Sequence, residues 1–542
     1  MAAPGSGQSP STPSLTEDDD PVADVETLPE LLAYRAGIGA DRIAFVANDG
    51  AGIRYAALDR RARQVAAGLR AAGVGRDDRV AYLGRNSVDY YEILFGAARS
   101  GAVFMPLNWR LADTELAWLI GDAGVRIIFG EAEQLARLEL HGVGFDRAIA
   151  IDCVAPSASD YVRWRDAQDA EDRPHDARPS DVAMQLYTSG TTGRPKGAML
   201  SHRNLLALRT EVPIAEQLPW YRWAPGEVSL LALPLFHIGT AAWGLIGLHH
   251  GGTLVVQPEF DPGRMIEAIE RHRVTRLAMV PSALQMLIEH PAARGADFSS
   301  IRYIFYGASP MPLPLLQRAM ATIGGDFVQI YGMTETTGSL VALPPEDHVV
   351  EGNRRMLAAG KAFPGVELAI RDTEGHFLPD GAIGEVVIRS PSNMIGYHNR
   401  TGATAETIDA DGWLRTGDAG YLEDGYLFIH DRIKEMIITG GENVYPAEVE
   451  AVIHGHPAVA DVAVIGVPDD RWGEAVKAVV TLAEGAEVDE AGIIAWARAR
   501  IAAFKAPRSV DFVASLPRNP SGKLLRREVR APYWQGRDRP IG

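Results

Sequence analysis

The sequence predicts an α/β protein: a large N-terminal domain of mostly parallel sheets with helices, followed by a small α+β C-terminal domain. Two observations support this prediction. From about Thr27, apolar runs of strand length alternate with runs of helix length, which is the pattern of βαβ units. Near Asp431 this alternation gives way to a hairpin and a mixture of short strands and helices. We therefore divide the chain into a disordered leader at 1–26, a large domain at 27–430, a linker at 431–435 and a small domain at 436–542.

Strand and helix follow each other repeatedly in the large domain. Strands and turns between them are predicted from apolar runs bounded by Gly, Pro and Asn, and helices from longer runs between those strands. The segments are DDRVAYLGRN (strand, turn), SVDYYEILFGAARSG (helix), AVFMPLN (strand), TRLAMVPSALQMLIEH (strand, helix) and IRYIFYGASPMPLPLLQRAMATIGGDFVQIYG (strand, turn, helix, strand).

The small domain follows a predicted hairpin, EDGYLFIHDR. Its first part, IKEMIITGGENVYPAEVEAVIHGHP, predicts a strand, a Gly-Gly turn and a helix that begins at Pro446, because Pro is well suited to the first helical position. Strands are then predicted at DVAVIGV, EAVKAVVTL and SVDFVAS, with a helix at DEAGIIAWARARIAAF between the last two.

Composition excludes several classes of protein. The net charge of −17 argues against a nucleic-acid binder, which usually presents a basic face. The single cysteine, Cys153, cannot form an internal disulfide, so a reducing, cytoplasmic location is expected. The N-terminus lacks the basic and apolar regions of a signal peptide, and the longest apolar run, GTAAWGLIGL, is too short to be a transmembrane segment.

One stretch, YTSGTTGRPKGAML, is rich in groups that bind anions. Its glycines let backbone N–H groups turn toward a ligand, its hydroxyls donate hydrogen bonds, and Lys196 adds a positive charge. A flexible linker is the alternative, but linkers rarely follow an apolar strand such as DVAMQLY. The stretch is not a Walker A loop, because Lys196 follows Pro195 and GAMLSH resembles a strand rather than a helix.

This loop resembles the phosphate-loop signature of the adenylate-forming superfamily, of the acyl-CoA synthetase or fatty-acid–CoA ligase type, and later motifs extend the resemblance from about Leu28 to Arg527. The resemblance implies ATP, Mg²⁺ and CoA as cofactor and co-substrates, and a small domain that is mobile and acts as a lid. It also implies that the loop binds ATP through Thr188, Ser189, Gly190, Thr191, Thr192, Gly193 and Lys196.

Two further segments resemble the nucleotide site of that family. YGASP is similar to the adenine segment, which assigns ATP contacts to Gly307, Ala308 and Ser309. YGMTETTG is more specific: the resemblance assigns Glu335 to Mg²⁺, Thr334 to the α-phosphate, and further ATP contacts to Tyr331, Gly332 and Met333. The alternatives are a plain strand-to-helix turn for the first segment and a helix N-cap at Thr334 for the second.

Three charged residues complete the implied nucleotide site. In GWLRTGD, Asp418 suits a ribose diol because a carboxylate accepts two hydroxyl hydrogen bonds, and Arg432 resembles the arginine on the ribose and phosphate side. A surface Asp–Arg pair is the alternative. In PRNPSGKLLRR, Lys523 resembles the catalytic lysine, which offsets charge developing in the transition state. A solvated basic tail is the alternative there.

The resemblance also assigns a second reaction surface to the small domain. Gly440, Gly441 and Glu442 are similar to the loop that faces the acyl-AMP during thioester formation. Lys434 occupies the position of the hinge residue, so residues 431–435 are expected to be a hinge about which the small domain rotates. A plain turn is the alternative for the glycines.

PLFHIGTAAWG resembles the segment that lines the acyl pocket, with His237, Ile238 and Gly239 in it, and Tyr306, Gly332 and Gly338 are assigned to the same pocket. Amino-acid-activating members usually carry an Asp near this segment, which is not found here. Acetate-specific members carry a Trp where this chain has Gly332. A fatty acid or a bulky alicyclic or aromatic acid is therefore expected. His237 is equally consistent with a packed core histidine.

The expected activity is that of an acid–thiol ligase that forms acyl-AMP and pyrophosphate and then passes the acyl group to CoA. An enzyme that loads a carrier-protein phosphopantetheine is the alternative. A luciferase-like oxygenase is a third possibility, for which the sequence shows no positive sign. A degenerate nucleotide-binding protein is a fourth, which the joint presence of Lys196, Glu335, Asp418, Arg432 and Lys523 opposes. The expected partners are the acid, ATP and CoA, with no nucleic acid, and a homodimer is left open.

Overall fold

The computed structural model describes residues 25–140, 142–152, 159–170, 175, 177–188, 195–213, 216–309, 311–440, 442–518 and 524–535, without the side chains of Leu140, Lys434 and Asn443. The predicted leader up to residue 24 and Cys153 lie outside these residues. Four β-sheets with flanking helices are formed by the described residues. The predicted α/β class, with a large N-terminal and a smaller C-terminal domain, is confirmed.

The strands are short and numerous. In chain order they are β1 (Ile43–Val46), β2 (Gly52–Arg54), β3 (Arg79–Leu83), β4 (Val103–Pro106), β5 (Val125–Glu131), β6 (Arg147–Ile151), β7 (Val182–Thr188), β8 (Lys196–Ser201), β9 (Val228–Leu231), β10 (Thr253–Val256), β11 (Arg276–Met279), β12 (Tyr303–Gly307), β13 (Asp326–Met333), β14 (Gly338–Leu343), β15 (Lys361–Ala362), β16 (Glu367–Arg371), β17 (Gly384–Arg389), β18 (Gly396–Tyr397), β19 (Leu414–Glu423), β20 (Tyr426–Arg432), β21 (Ile437–Thr439), β22 (Glu442–Val444), β23 (Val459–Asp469), β24 (Gly473–Leu482) and β25 (Ser509–Phe512).

The helices lie between these strands. They are α1 (Leu28–Ile38), α2 (Tyr55–Ala71), α3 (Asp89–Ser100), α4 (Asp113–Ala123), α5 (Ala132–Leu140), α6 (Asp160–Asp166), α7 (His202–Thr210), α8 (Ile238–His249), α9 (Pro262–His272), α10 (Pro281–Glu289), α11 (Leu313–Ile323), α12 (Thr401–Thr407), α13 (Pro446–His454), α14 (Glu490–Arg498) and α15 (Arg526–Arg530). Their beginnings follow ordinary capping rules. The Thr27 hydroxyl and the Glu30 carboxylate form a capping box on α1, and Pro446 occupies the first position of α13 as predicted.

Two large sheets have parallel centres and antiparallel edges. The first has the order β15-β14-β13-β12-β11-β9-β10-β1-β2 and is parallel from β13 to β1. The second has the order β18-β8-β7-β4-β3-β5-β6 and is parallel from β7 to β6. In sheets of this kind, ligands bind beyond the carboxyl ends of the strands. The segments predicted to bind ATP follow β7, β12 and β13 at those ends.

The remaining sheets are mainly antiparallel. The third has the order β16-β17-β19-β20, and β19 and β20 form the hairpin predicted from EDGYLFIHDR. The fourth, β22-β21-β24-β23 with β25 parallel to β24, belongs to the small domain. Helices α13 and α14 pack on the fourth sheet around a separate apolar cluster that includes Ile437, Val449, Val464 and Ile493. None of the described helices combines the length and apolarity needed to cross a bilayer.

Candidate active site

The tip of the β7–β8 hairpin positions the first part of the site. Thr188 and Lys196 are paired at the described end of the hairpin, and residues 189–194 between them lie outside the described residues. Lys196 is the first residue of a strand, which confirms that the loop is not a Walker A motif. Ser189, Gly190, Thr191, Thr192 and Gly193, which were predicted to bind ATP, lie outside the described residues.

Glu335 lies in a 3-10 turn, Thr334–Thr336, directly after β13. Only 6% of Glu335 is exposed, and its Oε1 accepts hydrogen bonds from the Tyr397 hydroxyl at 2.8 Å and the Thr188 hydroxyl at 3.3 Å. Both bonds end on Oε1, so among the described residues Oε2 has no hydrogen-bond partner and is available to a cation. The turn is capped by Met333 rather than by Thr334, so the N-cap alternative for Thr334 is wrong.

Tyr397 connects the β7–β8 hairpin to Glu335, a role that sequence reasoning missed. Strand β18 pairs with β8, which places Tyr397 opposite Ala198. The Lys196 Nζ lies 5.0 Å from the centroid of the Tyr397 ring, within cation–π range. Burial and the adjacent Glu335 carboxylate raise the pKa of the Tyr397 hydroxyl, so this group stays protonated and donates to Glu335.

Asp418 is the centre of a second polar cluster. It lies opposite Arg432 in the β19–β20 hairpin, and only 5% of Asp418 is exposed. Arg432 Nε lies 2.7 Å from Asp418 Oδ1, and the Tyr331 hydroxyl donates to Oδ2 at 2.6 Å. Since the carboxylate is buried, the alternative of a surface Asp–Arg pair is wrong. A carboxylate has about four lone-pair directions, so each oxygen can still accept a hydroxyl hydrogen bond.

The two clusters belong to one polar region. Tyr331 is in β13, four residues before Glu335, and thus reaches Asp418 from the strand that leads to Glu335. Burial lowers the pKa of Arg432, but the charges of Asp418 and Glu335 and the Tyr331 hydroxyl outweigh this effect, so the pKa is raised. Arg432 therefore lies within electrostatic range of both clusters, and the structure brings Thr188, Lys196, Glu335, Asp418 and Arg432 together.

The predicted adenine segment lies beside this region. Gly307 ends β12 and pairs with Ile330, the residue before Tyr331. A Cβ at Gly307 would come within 2.2 Å of the Ile330 carbonyl oxygen, so the close approach of β12 and β13 requires glycine. Ala308 follows with φ of +67°, an uncommon conformation for a residue with a side chain.

His237 and Gly239 line an open part of the surface at the start of α8. The His237 ring is exposed and Gly239 has no atom near the position of a Cβ. Even so, surrounding protein atoms desolvate the ring and Arg110 repels its charged form, which lowers the pKa of His237 to about 4. Exposure together with desolvation indicates a concave surface. The alternative of a packed core histidine is therefore wrong, while Ile238 is buried.

Arg110 is a cation at this concave surface that sequence reasoning missed. It stacks on Trp109, with 4.7 Å from the guanidinium carbon to the ring centroid, and lies 6.0 Å from the Phe236 ring. Burial lowers its pKa, and Glu259 opposes this effect. No described carboxylate lies within ion-pair distance of Arg110, which leaves its charge available to an anion.

The other residues assigned to the acyl pocket lie in two different surroundings. Gly332 and Gly338 lie at a bulge between β13 and β14, and a Cβ at Gly332 would come within 1.9 Å of the Gly338 carbonyl oxygen. The close approach of the two strands therefore requires glycine at 332, in addition to its expected effect on the size of the acid. The Tyr306 side chain packs in a cluster with Phe327, and its hydroxyl bonds His348 at 2.9 Å. The structure does not place Tyr306 in the cluster that contains α8.

In the small domain, the predicted Gly-Gly turn joins β21 and β22. Gly440 has φ of +62°, and a Cβ there would come within 2.5 Å of the Trp472 ring, so both conformation and space require glycine. Glu442 is exposed at the start of β22. Gly441, Lys523 and the side chain of Lys434 lie outside the described residues, so their roles remain predictions.

The residues around Glu335 fit a bound Mg²⁺. The metal-ligating atoms that the described residues offer there are oxygens: those of the Glu335 carboxylate and the Thr188 hydroxyl, with Thr334 next to Glu335 in the same turn. Mg²⁺ is a hard cation that prefers oxygen ligands and commonly combines one or two carboxylates with phosphate oxygens and water. A single buried carboxylate with a free oxygen suits that arrangement.

Comparisons with known proteins agree with this geometry. The AMP-binding enzyme family matches residues 33–398, and the AMP-binding enzyme C-terminal domain matches residues 448–523. The chain is 42% identical over 488 residues to the fatty acid–[acyl-carrier-protein] ligase ScoC of Streptomyces coeruleorubidus, covering 90% of this chain and 92% of that protein. It is 41% identical over 494 residues to the feruloyl-CoA synthase of an Amycolatopsis species, covering 90% and 95%.

A solved structure gives the same result. ATP-bound MatB from Rhodopseudomonas palustris is 31% identical and superimposes with a TM-score of 0.83, covering 93% of this chain and 99% of that one. The curated relatives include several named CoA ligases and synthetases. The chain therefore belongs to the AMP-binding enzyme family, and it is an acid–thiol ligase of the AMP-forming type.

Proposed function

We propose that the protein activates a carboxylic acid with ATP, releasing pyrophosphate, and then transfers the acyl group from acyl-AMP to the thiol of CoA. The observation that carries this proposal is the convergence of Thr188, Lys196, Glu335, Asp418 and Arg432 from four strands and the turn after β13. These residues supply one cation for phosphate, one free carboxylate oxygen for Mg²⁺ and one buried carboxylate for a diol. A nucleoside triphosphate has all three partners.

In the first half-reaction, an oxygen of the substrate carboxylate attacks the α-phosphorus, and the bond from that phosphorus to pyrophosphate breaks. Catalysis of such a step consists mainly of positioning and charge stabilisation. Lys196 and the hairpin tip would hold phosphate oxygens, and Asp418, oriented by Arg432 and Tyr331, would accept the ribose hydroxyls. Bound at Glu335, Mg²⁺ would neutralise charge on the triphosphate.

In the second half-reaction, the thiol sulfur attacks the acyl carbon, AMP leaves with the bonding electrons, and the thiol proton passes to solvent. Lys523 would serve the first step, and the Gly440–Gly441 turn would line the thiol path in the second. The rotation of the small domain about Lys434 that this requires is part of the proposal. Arg110 supports an anionic thiol substrate, because its charge has no ion-pair partner among the described residues.

The proposed acid is a fatty acid or a bulky alicyclic or aromatic acid. Three features support this. Gly239 has open space around it, and a Cβ built on Gly338 would lie 3.8 Å from the Ala242 Cβ, an ordinary contact. The Phe236 and His237 rings lie in a tilted arrangement with their centroids 4.7 Å apart. The low pKa of His237 keeps its ring neutral at pH 7, so this ring adds no charge to the surface.

A carrier protein is the second candidate acceptor, because the relative ScoC is named a fatty acid–[acyl-carrier-protein] ligase. The test is pyrophosphate release across a panel of fatty, alicyclic and aromatic acids, with CoA or with a holo carrier protein as acceptor. Thioester formed with CoA would support the proposal, and thioester formed only on the carrier protein would favour the alternative. Failure of every acid to release pyrophosphate would refute the adenylation step itself.

A further inference from the structure

Arg526, the first residue of α15, lies between three carboxylates that come from three different elements. Its Nε and Nη2 bind Glu450 of α13 in a bidentate pair, at 3.0 and 2.5 Å. Its Nη1 pairs with Glu435 in the turn after β20 and lies 3.5 Å from Asp431 Oδ1 of β20 itself. Arg526 thus joins the last strand of the large domain to a helix of the small domain.

Asp431 was predicted to begin the linker at 431–435, but it lies in β20 and pairs with Ala419 in the third sheet, so it is the member of this cluster that belongs to the large domain. Its Oδ2 accepts a hydrogen bond at 2.8 Å from the backbone N–H of Ala447 at the start of α13. The Asp431 side chain is only 5% exposed. Its carboxylate contacts Arg526 and Ala447 of the small domain and the backbone N–H of Arg432 at the end of its own strand. If the small domain rotated about residues 433–435, Asp431 would lose both Ala447 and Arg526.

Asp431 is also the direct neighbour of Arg432, which holds the proposed ribose carboxylate, Asp418. Successive side chains of a strand point to opposite faces. Arg432 accordingly faces the nucleotide region, and Asp431 faces the small domain. Two adjacent residues at the end of β20, Asp431 and Arg432, therefore connect the nucleotide site to the contact between Asp431 and the small domain.

Among the described side chains, those of the cluster do not balance in charge. One guanidinium, that of Arg526, contacts three carboxylates, and it holds the small domain against the mutual repulsion of Asp431, Glu435 and Glu450. Burial raises the pKa of Asp431 to about 6; Arg526 lowers it, and Glu450 and Glu435 raise it further. The nearby groups are Tyr445, which precedes α13, and the Lys505–Glu448 ion pair at 2.7 Å, with His430 stacked on Tyr445.

We propose that Arg526 is a positioning residue that holds the small domain against the end of β20 and so sets the balance between the two half-reactions. The inference rests on the proposed two-step function. Removing the guanidinium leaves three carboxylates facing one another, so the small domain leaves the described orientation. Since the two half-reactions require different orientations, they respond unequally to this change.

The variants follow from this geometry. Arg526→Gln removes the positive charge. Arg526→Lys keeps the charge, but a lysine cannot form a bidentate pair with Glu450 and contact Glu435 at the same time. Arg527→Gln is the matched control, because Arg527 is the exposed neighbour on the same helix. Asp431→Asn keeps an acceptor for Ala447 and removes one repelling charge, so it is expected to favour the described orientation.

Two measurements are made on the full-length enzyme. The first is the ratio of ATP–pyrophosphate exchange to thioester formation from supplied acyl-AMP. The second is energy transfer between dyes on cysteines introduced at the exposed positions Glu133 and Glu484, with Cys153→Ser as background. For Arg526→Gln we expect the ratio to change at least about tenfold and the dye distance to shift. Arg526→Lys should recover part of both changes, and Arg527→Gln should match the wild type.

The pH dependence of the dye distance is a further test, because a purely stabilising role of Arg526 would not produce one. Because the pKa of Asp431 is raised in the described orientation, that orientation is favoured at pH 5 and is weakened as pH rises through about 6. The dye distance of the wild type should therefore change over this range, and that of Asp431→Asn should not.

The outcomes are decisive in either direction. Equal losses in both half-reactions for Arg526→Gln, with an unchanged dye distance, would overturn the proposal and reduce Arg526 to a stabilising residue. If Arg526→Gln does not fold, Asp431→Asn provides the test. A change in its ratio of ATP–pyrophosphate exchange to thioester formation, opposite in direction to that of Arg526→Lys, supports the proposal. An unchanged ratio overturns it. The dye distance needs no acid substrate, so failure of the proposed function would be recognised separately by the absence of pyrophosphate release.

Discussion

Substitution of Tyr397 by Phe tests the geometry around Glu335 most directly. Tyr397→Phe removes the hydroxyl that donates to Glu335 Oε1 at 2.8 Å and keeps the ring 5.0 Å from Lys196 Nζ. Glu335 then retains one weaker hydrogen bond, at 3.3 Å from Thr188. The carboxylate would no longer be held in one orientation, and its free oxygen would no longer be directed consistently at the cation and triphosphate.

The expected magnitude follows from the type of bond lost. A hydrogen bond to a charged group contributes about 1.5–3 kcal/mol. If that contribution is made fully in the transition state, ATP–pyrophosphate exchange falls roughly 10- to 100-fold. Tyr397→Leu also removes the cation–π contact, which adds about 0.5–1 kcal/mol, or roughly a further two- to fivefold.

The assay is ATP–pyrophosphate exchange at saturating acid, with thermal unfolding as a measure of folding. The matched control is Tyr533→Phe, which removes a tyrosine-to-carboxylate hydrogen bond, to Asp511, in the small domain. It should leave exchange within about twofold of the wild type, a change of less than about 0.5 kcal/mol. If Tyr397→Phe also stayed within that limit while folding normally, the assignment of Glu335 as an oriented Mg²⁺ ligand would be refuted.

Three further predictions concern other parts of the site. Lys523→Ala should abolish acyl-AMP formation from ATP yet spare thioester formation from supplied acyl-AMP; equal losses in the two assays would contradict its assigned role. Gly332→Ala should lower the free energy of unfolding by about 1–3 kcal/mol, measured by denaturant titration, because its Cβ would overlap the Gly338 carbonyl oxygen. Gly239→Ala is the matched control with open space and should unfold like the wild type. His237→Gln should leave the pH profile of exchange unchanged between pH 6 and 9, because a pKa lowered to about 4 keeps the His237 ring neutral across that range; loss of an inflection near pH 6–7 would show that His237 titrates there.

Much of the fold was predictable because its strands and helices differ clearly in length and are separated by Gly and Pro. The segments around β3, α3 and β4, and those around β12, α11 and β13, agree with the predicted order. Pairing between distant strands was not predictable. Nothing local in GYHNR indicates that β18 joins the second sheet beside β8, because a two-residue strand carries no periodicity.

The candidate site was likewise only partly predictable from the sequence. Asp418 and Arg432 were recognised from motifs, but their burial and the Tyr331 hydrogen bond depend on tertiary contacts. Tyr397 was missed for the same reason, since its role depends on the register between β18 and β8. Tyr306 was grouped with the acyl pocket because it is adjacent to Gly307 in sequence. Alternation along β12 places its side chain instead on the face that packs against Phe327.

The contrast between the two glycines proposed to lie near the acid has a practical consequence for redesign. Position 332 is closed by the neighbouring strand, so enlarging it requires the protein main chain to move. Position 239 borders open space at the first turn of a largely buried helix. If the proposed acid site is correct, directed evolution toward shorter substrates should therefore begin at residue 239, where an added side chain meets no neighbouring atom and should not impair folding.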